Sequence, residues 1–154
     1  MKRLLLGLAV IVLLVGCGSK PEQKVQKPNS KEYIDAGMNA LKEGEIVNAI
    51  KNFDTAIKVD PRNPENYIVL GQVYLRLKNY QAAIDTLSAA TKVAPNSGEA
   101  YYFLATSRMM RQNPGDKEQA IEDAKMSAEI FLRNNDQERL KKAIVLVQSF
   151  SQVQ

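Results

Sequence analysis

The chain of 154 residues has no histidine, no tryptophan and a single cysteine, Cys17. Without histidine, the commonest general base near neutral pH and the commonest neutral metal ligand are both missing. One cysteine excludes a disulfide within the chain and a zinc site built on cysteine pairs. There is no glycine-rich phosphate loop; "NPGD", Asn113 to Asp116, reads as a turn between helices. Glu118, Glu122 and Asp123 lie close together on one predicted helix, with Lys117, Lys125 and Glu129 in reach for weak i,i+4 pairs. With no nucleophile, base and orienting group around them, these carboxylates read as a solvated face. The composition therefore points away from an enzyme, and no cofactor or metal is expected.

A basic excess is also missing once charge is divided along the chain. The total is 21 basic against 17 acidic residues. Residues 1–31 hold Lys2, Arg3, Lys20, Lys24, Lys27 and Lys31 against Glu22, so from residue 32 onward 15 basic face 16 acidic. That balance lacks the electrostatic footprint of nucleic-acid binding.

What is present begins with Lys2 and Arg3 ahead of an apolar run, Leu4 to Val15, broken only by Gly7. The run is short for a membrane-spanning helix, which needs about 20 residues, and fits the apolar region of an export signal. It ends in Leu14-Val15-Gly16-Cys17, which resembles the lipobox of bacterial lipoproteins. The resemblance implies cleavage before Cys17, whose thiol and amine then carry acyl chains; several chains give stable anchoring, at about 0.8 kcal/mol per buried methylene. Residues 1–16 are then a signal peptide and 17–29 a lipidated cysteine with a polar tether, too poor in apolar groups to fold. Gly18 and Ser19 follow the cysteine where an inner-membrane lipoprotein of Gram-negative bacteria tends to have aspartate. The expected location is the cell envelope, at the outer membrane if the organism has one.

The rest of the chain repeats itself. A shift of 34 residues aligns Tyr33, Tyr67 and Tyr101, then Ala36, Leu70 and Leu104, then Gly37, Gly71 and Ala105. Phe53 meets Leu87, Ala56 meets Ala90, and Pro61 meets Pro95. Asn29, Asn63 and Ser97 recur as helix N-caps, with Pro64 at a first helical position. These residues resemble the tetratricopeptide repeat, whose pattern is an aromatic, Leu-Gly, Tyr, Ala, a larger apolar residue and Pro. The second repeat fits best, through Tyr67, Leu70-Gly71, Tyr74, Ala83, Leu87, Ala90 and Pro95. The third departs: its turn is three residues longer, Arg108 replaces the tyrosine, no proline closes it, and Asp116 with Gln119 resembles a capping box. The resemblance implies an all-α right-handed superhelix of about three helix-turn-helix repeats (30–63, 64–97 and 98–134). A stripe of Leu140, Ala143, Ile144 and Val147 makes 135–154 a C-terminal capping helix, which solenoids need.

The helix holding "LGQVYLRL", Leu70 to Leu77, is apolar on two sides. Tyr67, Leu70, Gly71 and Tyr74 are expected to face the partner helix, with Gly71 allowing close approach. A second set, Ile68, Gln72 and Leu75, recurs as Ile34, Met38 and Leu41 in the first repeat and as Tyr102, Thr106 and Met109 in the third. In the family these positions line the concave side, so the nine residues form the expected partner-binding groove, flanked by Lys42, Arg76 and Met110. The cationic clamp that some repeats use for a C-terminal carboxylate is absent; its places hold Ile34, Met38, Leu75, Glu99 and Phe103.

An exposed apolar surface of a few hundred Å² usually binds something. The expected function is a membrane-anchored adaptor that captures an apolar or amphipathic peptide segment of another protein, in the manner of the pilotins that help assemble envelope complexes. Two alternatives stand beside it: a structural homo-oligomer, such as a homodimer with its groove self-covered, and a broad periplasmic chaperone. The bland alternative is that the inner-face residues simply pack on neighbouring helices.

Overall fold

The structure, a computed structural model, describes residues 29–152. Cys17, the expected signal peptide and all of the expected tether but Asn29 lie outside these residues. Seven helices follow in order: α1 (Ser30–Lys42), α2 (Ile46–Val59), α3 (Pro64–Arg76), α4 (Tyr80–Val93), α5 (Gly98–Arg111), α6 (Asp116–Arg133) and α7 (Gln137–Gln152). No strand occurs among the described residues.

Each first helix of a pair starts at a side-chain cap. Asn29 accepts a hydrogen bond from Glu32 N, Asn63 from Glu65 N and Ser97 from Ala100 N. The expected capping box on α6 does not form. Gly115 stands at the N-cap in a left-handed conformation, φ 83°, without a side-chain bond. Asp116 is engaged instead by Arg111, 2.8 Å from Nε to Oδ2, and accepts from Asn113 N.

The pairs α1–α2, α3–α4 and α5–α6 stack in sequence. The odd helices form an inner layer, with α3 touching both α1 and α5, and the even helices an outer one. Within a pair, small residues bring backbones together. A Cβ on Gly71 would stand 2.5 Å from Leu87 Cγ, and one on Gly37 2.5 Å from the Phe53 ring. Leu87 and Phe53 are fully buried and fill the space the glycines leave.

Between pairs, the second apolar side of α3 is used as packing surface. Ile68 joins Ala90 of α4 and Ala100 of α5 in one buried cluster, with Phe103 against it. Asn66, buried at 1 % exposure, donates to Ala56 O and Asp60 O, closing the C-terminal end of α2. Nothing in the residue type or its position announced this role.

The helix α7 lies against α6 as α5 lies against α4 and α3 against α2, in the place of the first helix of a fourth pair. Phe150, Leu146 and Val147 cover Ala105, Ala120, Ala124, Ile121 and Met109. This closes the apolar end of the third pair, leaving Val145 on the outside of α7, 62 % exposed, and Ile144 at the edge of the α6–α7 seam, 42 % exposed.

Candidate functional site

The inner layer bears an open depression over α1, α3 and α5, lined by Met38, Leu41, Glu65, Val69, Gln72, Val73, Arg76 and Glu99. None of its lining comes from α7, so the capping helix leaves this part of the concave face open. At about 290 Å³ it is at the small end for a ligand site, room for a few side chains. A second cleft lies between α5 and α7, lined by Glu99, Tyr102 and Phe103 with Phe131, Arg139 and Lys142.

The nine residues expected to line the groove divide three ways. Met38, Leu41 and Gln72 face the depression, and Met38 is the most open of the nine, 41 % exposed. Tyr102 lines the cleft against α7. The other five do more packing than lining. Ile68 is buried in the α3–α4–α5 cluster. Leu75 leans on Ala83, Ile84, Leu87 and Leu104, and Ile34 on the first-pair core. Met109 is held under α7. Thr106 is half-buried, its hydroxyl donating back to Tyr102 O at 2.9 Å.

On α3 the open stripe is Glu65, Val69, Gln72 and Arg76, spaced i, i+4, i+7, i+11. At about 100° per residue, Ile68 and Leu75 sit about 70° and about 90° round the helix from its centre, on one flank. A helix wedged between two neighbours is apolar on both flanks and polar on the free side. The signal for the open face was therefore the polar residues of "PENYIVLGQVYLR", not the apolar ones.

The site is accordingly mixed. Gln72 donates weakly to Glu99 Oε1 at 3.5 Å, and Arg139 of α7 approaches Glu99 at 3.8 Å. Arg139 also meets Asp136 at 3.2 Å and lies over the Phe131 ring, 5.8 Å from its centre. Burial raises the Glu65 carboxyl above its usual range; the nearby Glu99 charge adds to this, and Arg139 opposes it. Tyr102 and Phe103 meet edge to face, ring centres 5.4 Å apart.

The carboxylates read as a solvated face are not uniform. Glu118 and Glu122 are exposed, and Lys125 pairs with Glu122 at 2.8 Å. Asp123 is only 12 % exposed and pairs with Arg108 of α5. No group of three or more potential metal ligands occurs among the described residues, and no described helix is long and apolar enough to cross a membrane.

The tetratricopeptide-repeat family profile matches residues 40–106, under half of the chain. Among curated proteins, no significant match is found. Solved structures align over most of the described residues. The yeast Sti1 TPR2B domain, in complex with pHsp70, is 20 % identical, with TM-score 0.72 over 80 % of this chain and 96 % of that one. PcrH of Pseudomonas aeruginosa, in complex with the chaperone-binding region of PopD, is 16 % identical, with TM-score 0.69 over 79 % and 90 %. SycD of Yersinia enterocolitica, a type III secretion translocator chaperone, is 12 % identical, with TM-score 0.71 over 83 % and 96 %. With the 34-residue register and the helix pairs described above, these likenesses identify the fold: all-α, tetratricopeptide-type, with three stacked helix pairs and a capping helix.

Proposed function

We propose that the protein is a membrane-tethered adaptor that captures a segment of another protein on its concave face. The observation that carries this reading is the depression over α1, α3 and α5. It stays open after α7 has covered the end of the stack, and its floor includes the exposed Met38. A thioether side chain there adapts to varied apolar shapes. The fold is one in which PcrH is seen with a bound region of PopD and a Sti1 domain with pHsp70. The lipobox-like Leu14 to Cys17 supports a lipid anchor that holds the capture at the cell envelope, with the outer membrane favoured by Gly18 and Ser19. Confinement to a surface raises the local concentration of the captured partner, which suits the assembly of an envelope complex. No step of this function calls for catalysis.

Two substitutions test the two halves. Met38→Glu places a charge on the groove floor and is expected to lower capture of the partner at least about tenfold, or about 1.4 kcal/mol, with an unchanged melting temperature. Equal capture by Met38→Glu contradicts the groove. Cys17→Ala is expected to abolish labelling by a palmitate analogue; equal labelling contradicts the anchor.

A second reading has its own observation. Leu132 of α6 and Ile144 and Val145 of α7 are exposed apolar residues on the C-terminal helix pair. A homo-oligomer joined through this end leaves the groove free, and light scattering on the isolated protein distinguishes it from a monomer.

A further inference from the structure

This inference rests on the groove reading above and names the chemistry of the occupant. The depression is not uniformly apolar. Met38, Leu41, Val69 and Val73 make its floor, and charges of opposite sign stand at its two ends. Glu65 lies in the first turn of α3 and Arg76 in its last. At about 1.5 Å of rise per residue they are about 16 Å apart along the helix. Glu99, in the first turn of α5, stands beside the middle of α3, where Gln72 donates to it at 3.5 Å, and its charge still acts on Glu65.

These charges are poorly answered within the protein. Glu99 accepts only a long hydrogen bond from Gln72, 3.5 Å, and Arg139 reaches it at 3.8 Å while shared with Asp136. Among the described residues, no hydrogen bond or ion pair engages the side chain of Glu65 or of Arg76. Two acidic charges along the groove, Glu65 at one end and Glu99 beside Gln72, and the opposite charge of Arg76 at the other end make a field that a complementary segment relieves.

We propose that the groove reads an extended segment carrying a lysine or arginine toward Glu65 and Glu99, an aspartate or glutamate at the Arg76 end, and apolar residues between. The span of about 16 Å matches about five residues of extended chain at about 3.3 Å each. In an extended segment alternate side chains point to one face, so two or three of them enter the depression between the charges. The opposed charges also fix the direction in which the segment lies.

The test is a cellulose array of random-sequence 15-residue peptides, probed with the full chain in detergent micelles. Bound peptides are expected to be enriched about fivefold in sequences with a basic and an acidic residue about five positions apart across apolar ones. The net charge of the whole chain is +4, so unspecific attraction favours acidic peptides and does not mimic the basic preference. Glu65→Gln with Glu99→Gln is expected to remove the basic preference, and Arg76→Gln the acidic one, with helical circular dichroism unchanged in both. Absence of the charge enrichment, or its survival in these variants, overturns the inference. If apolar enrichment remains and falls with Met38→Glu, only the charge reading fails. If no peptide is retained, or Met38→Glu changes nothing, groove capture fails with it.

Discussion

Arg108 and Asp123 show how a departure from the repeat is repaired at the scale of one residue. Arg108 stands in the register of Tyr74, and Asp123 of α6 meets it across the pair. Burial drives the Asp123 carboxyl up to about 6, more than the Arg108 charge and hydrogen bond pull it down. With a folded pKa above the unfolded value of 3.8, the fold binds the proton more tightly than the unfolded chain does. The contribution is fully present below the unfolded pKa and is lost as pH rises through about 6. Asp116 has the opposite sign. The Arg111 hydrogen bond holds it below its usual range, so its contribution is lost as pH falls through its lowered pKa. Comparison with Asp123→Asn isolates the first effect. Between pH 7 and 4.5, wild type is expected to gain on the variant by about 1–3 kcal/mol in denaturant titrations. Parallel profiles contradict the assignment. Arg108 itself was legible as an exception to the repeat. The aspartate was not, because on a helix rich in Glu and Lys a buried carboxylate looks like its exposed neighbours until α5 is laid against it.

At the scale of the element, α3 carries the argument. Gly71 is read from the 34-residue register, and its reason is the 2.5 Å separation that a Cβ would have from Leu87. Gly71→Ala is expected to cost about 1–3 kcal/mol despite the better helix propensity of alanine, because Leu87 has no room to move. Leu87→Ala alone is expected to cost about 2–5 kcal/mol. In the double variant the alanine methyl enters the space the leucine left, so the total falls short of the sum by about 1 kcal/mol or more. Strict additivity in urea melts contradicts direct contact. The helix starts were legible through Asn29, Asn63 and Ser97, since capping is a local interaction. The open face was legible only in part. The spacing puts Gln72 on it, yet it puts Ile68 and Leu75 there too, because in the sequence their apolarity reads as a binding surface. In a stacked helix apolarity marks the neighbours on either side, and Glu65 and Arg76 mark the water.

For the whole molecule, repetition made the stack legible: a unit that cannot bury its apolar face alone must stack. Repetition says less about the end of the stack. The stripe on α7 suggested a cap, but its place beside α6, with Met109 beneath it and the groove over α1 and α3 uncovered, depends on contacts between distant residues. The open concave face is the feature on which the adaptor reading turns. Photo-crosslinking in intact cells compares Met38, on the groove floor, with Val47 of α2, which is 81 % exposed outside that lining. The account predicts a discrete partner adduct from position 38 that is absent from position 47 and is lost when Glu65→Gln and Arg76→Gln are added. Identical adducts from both positions, or an adduct from 47 alone, contradict it.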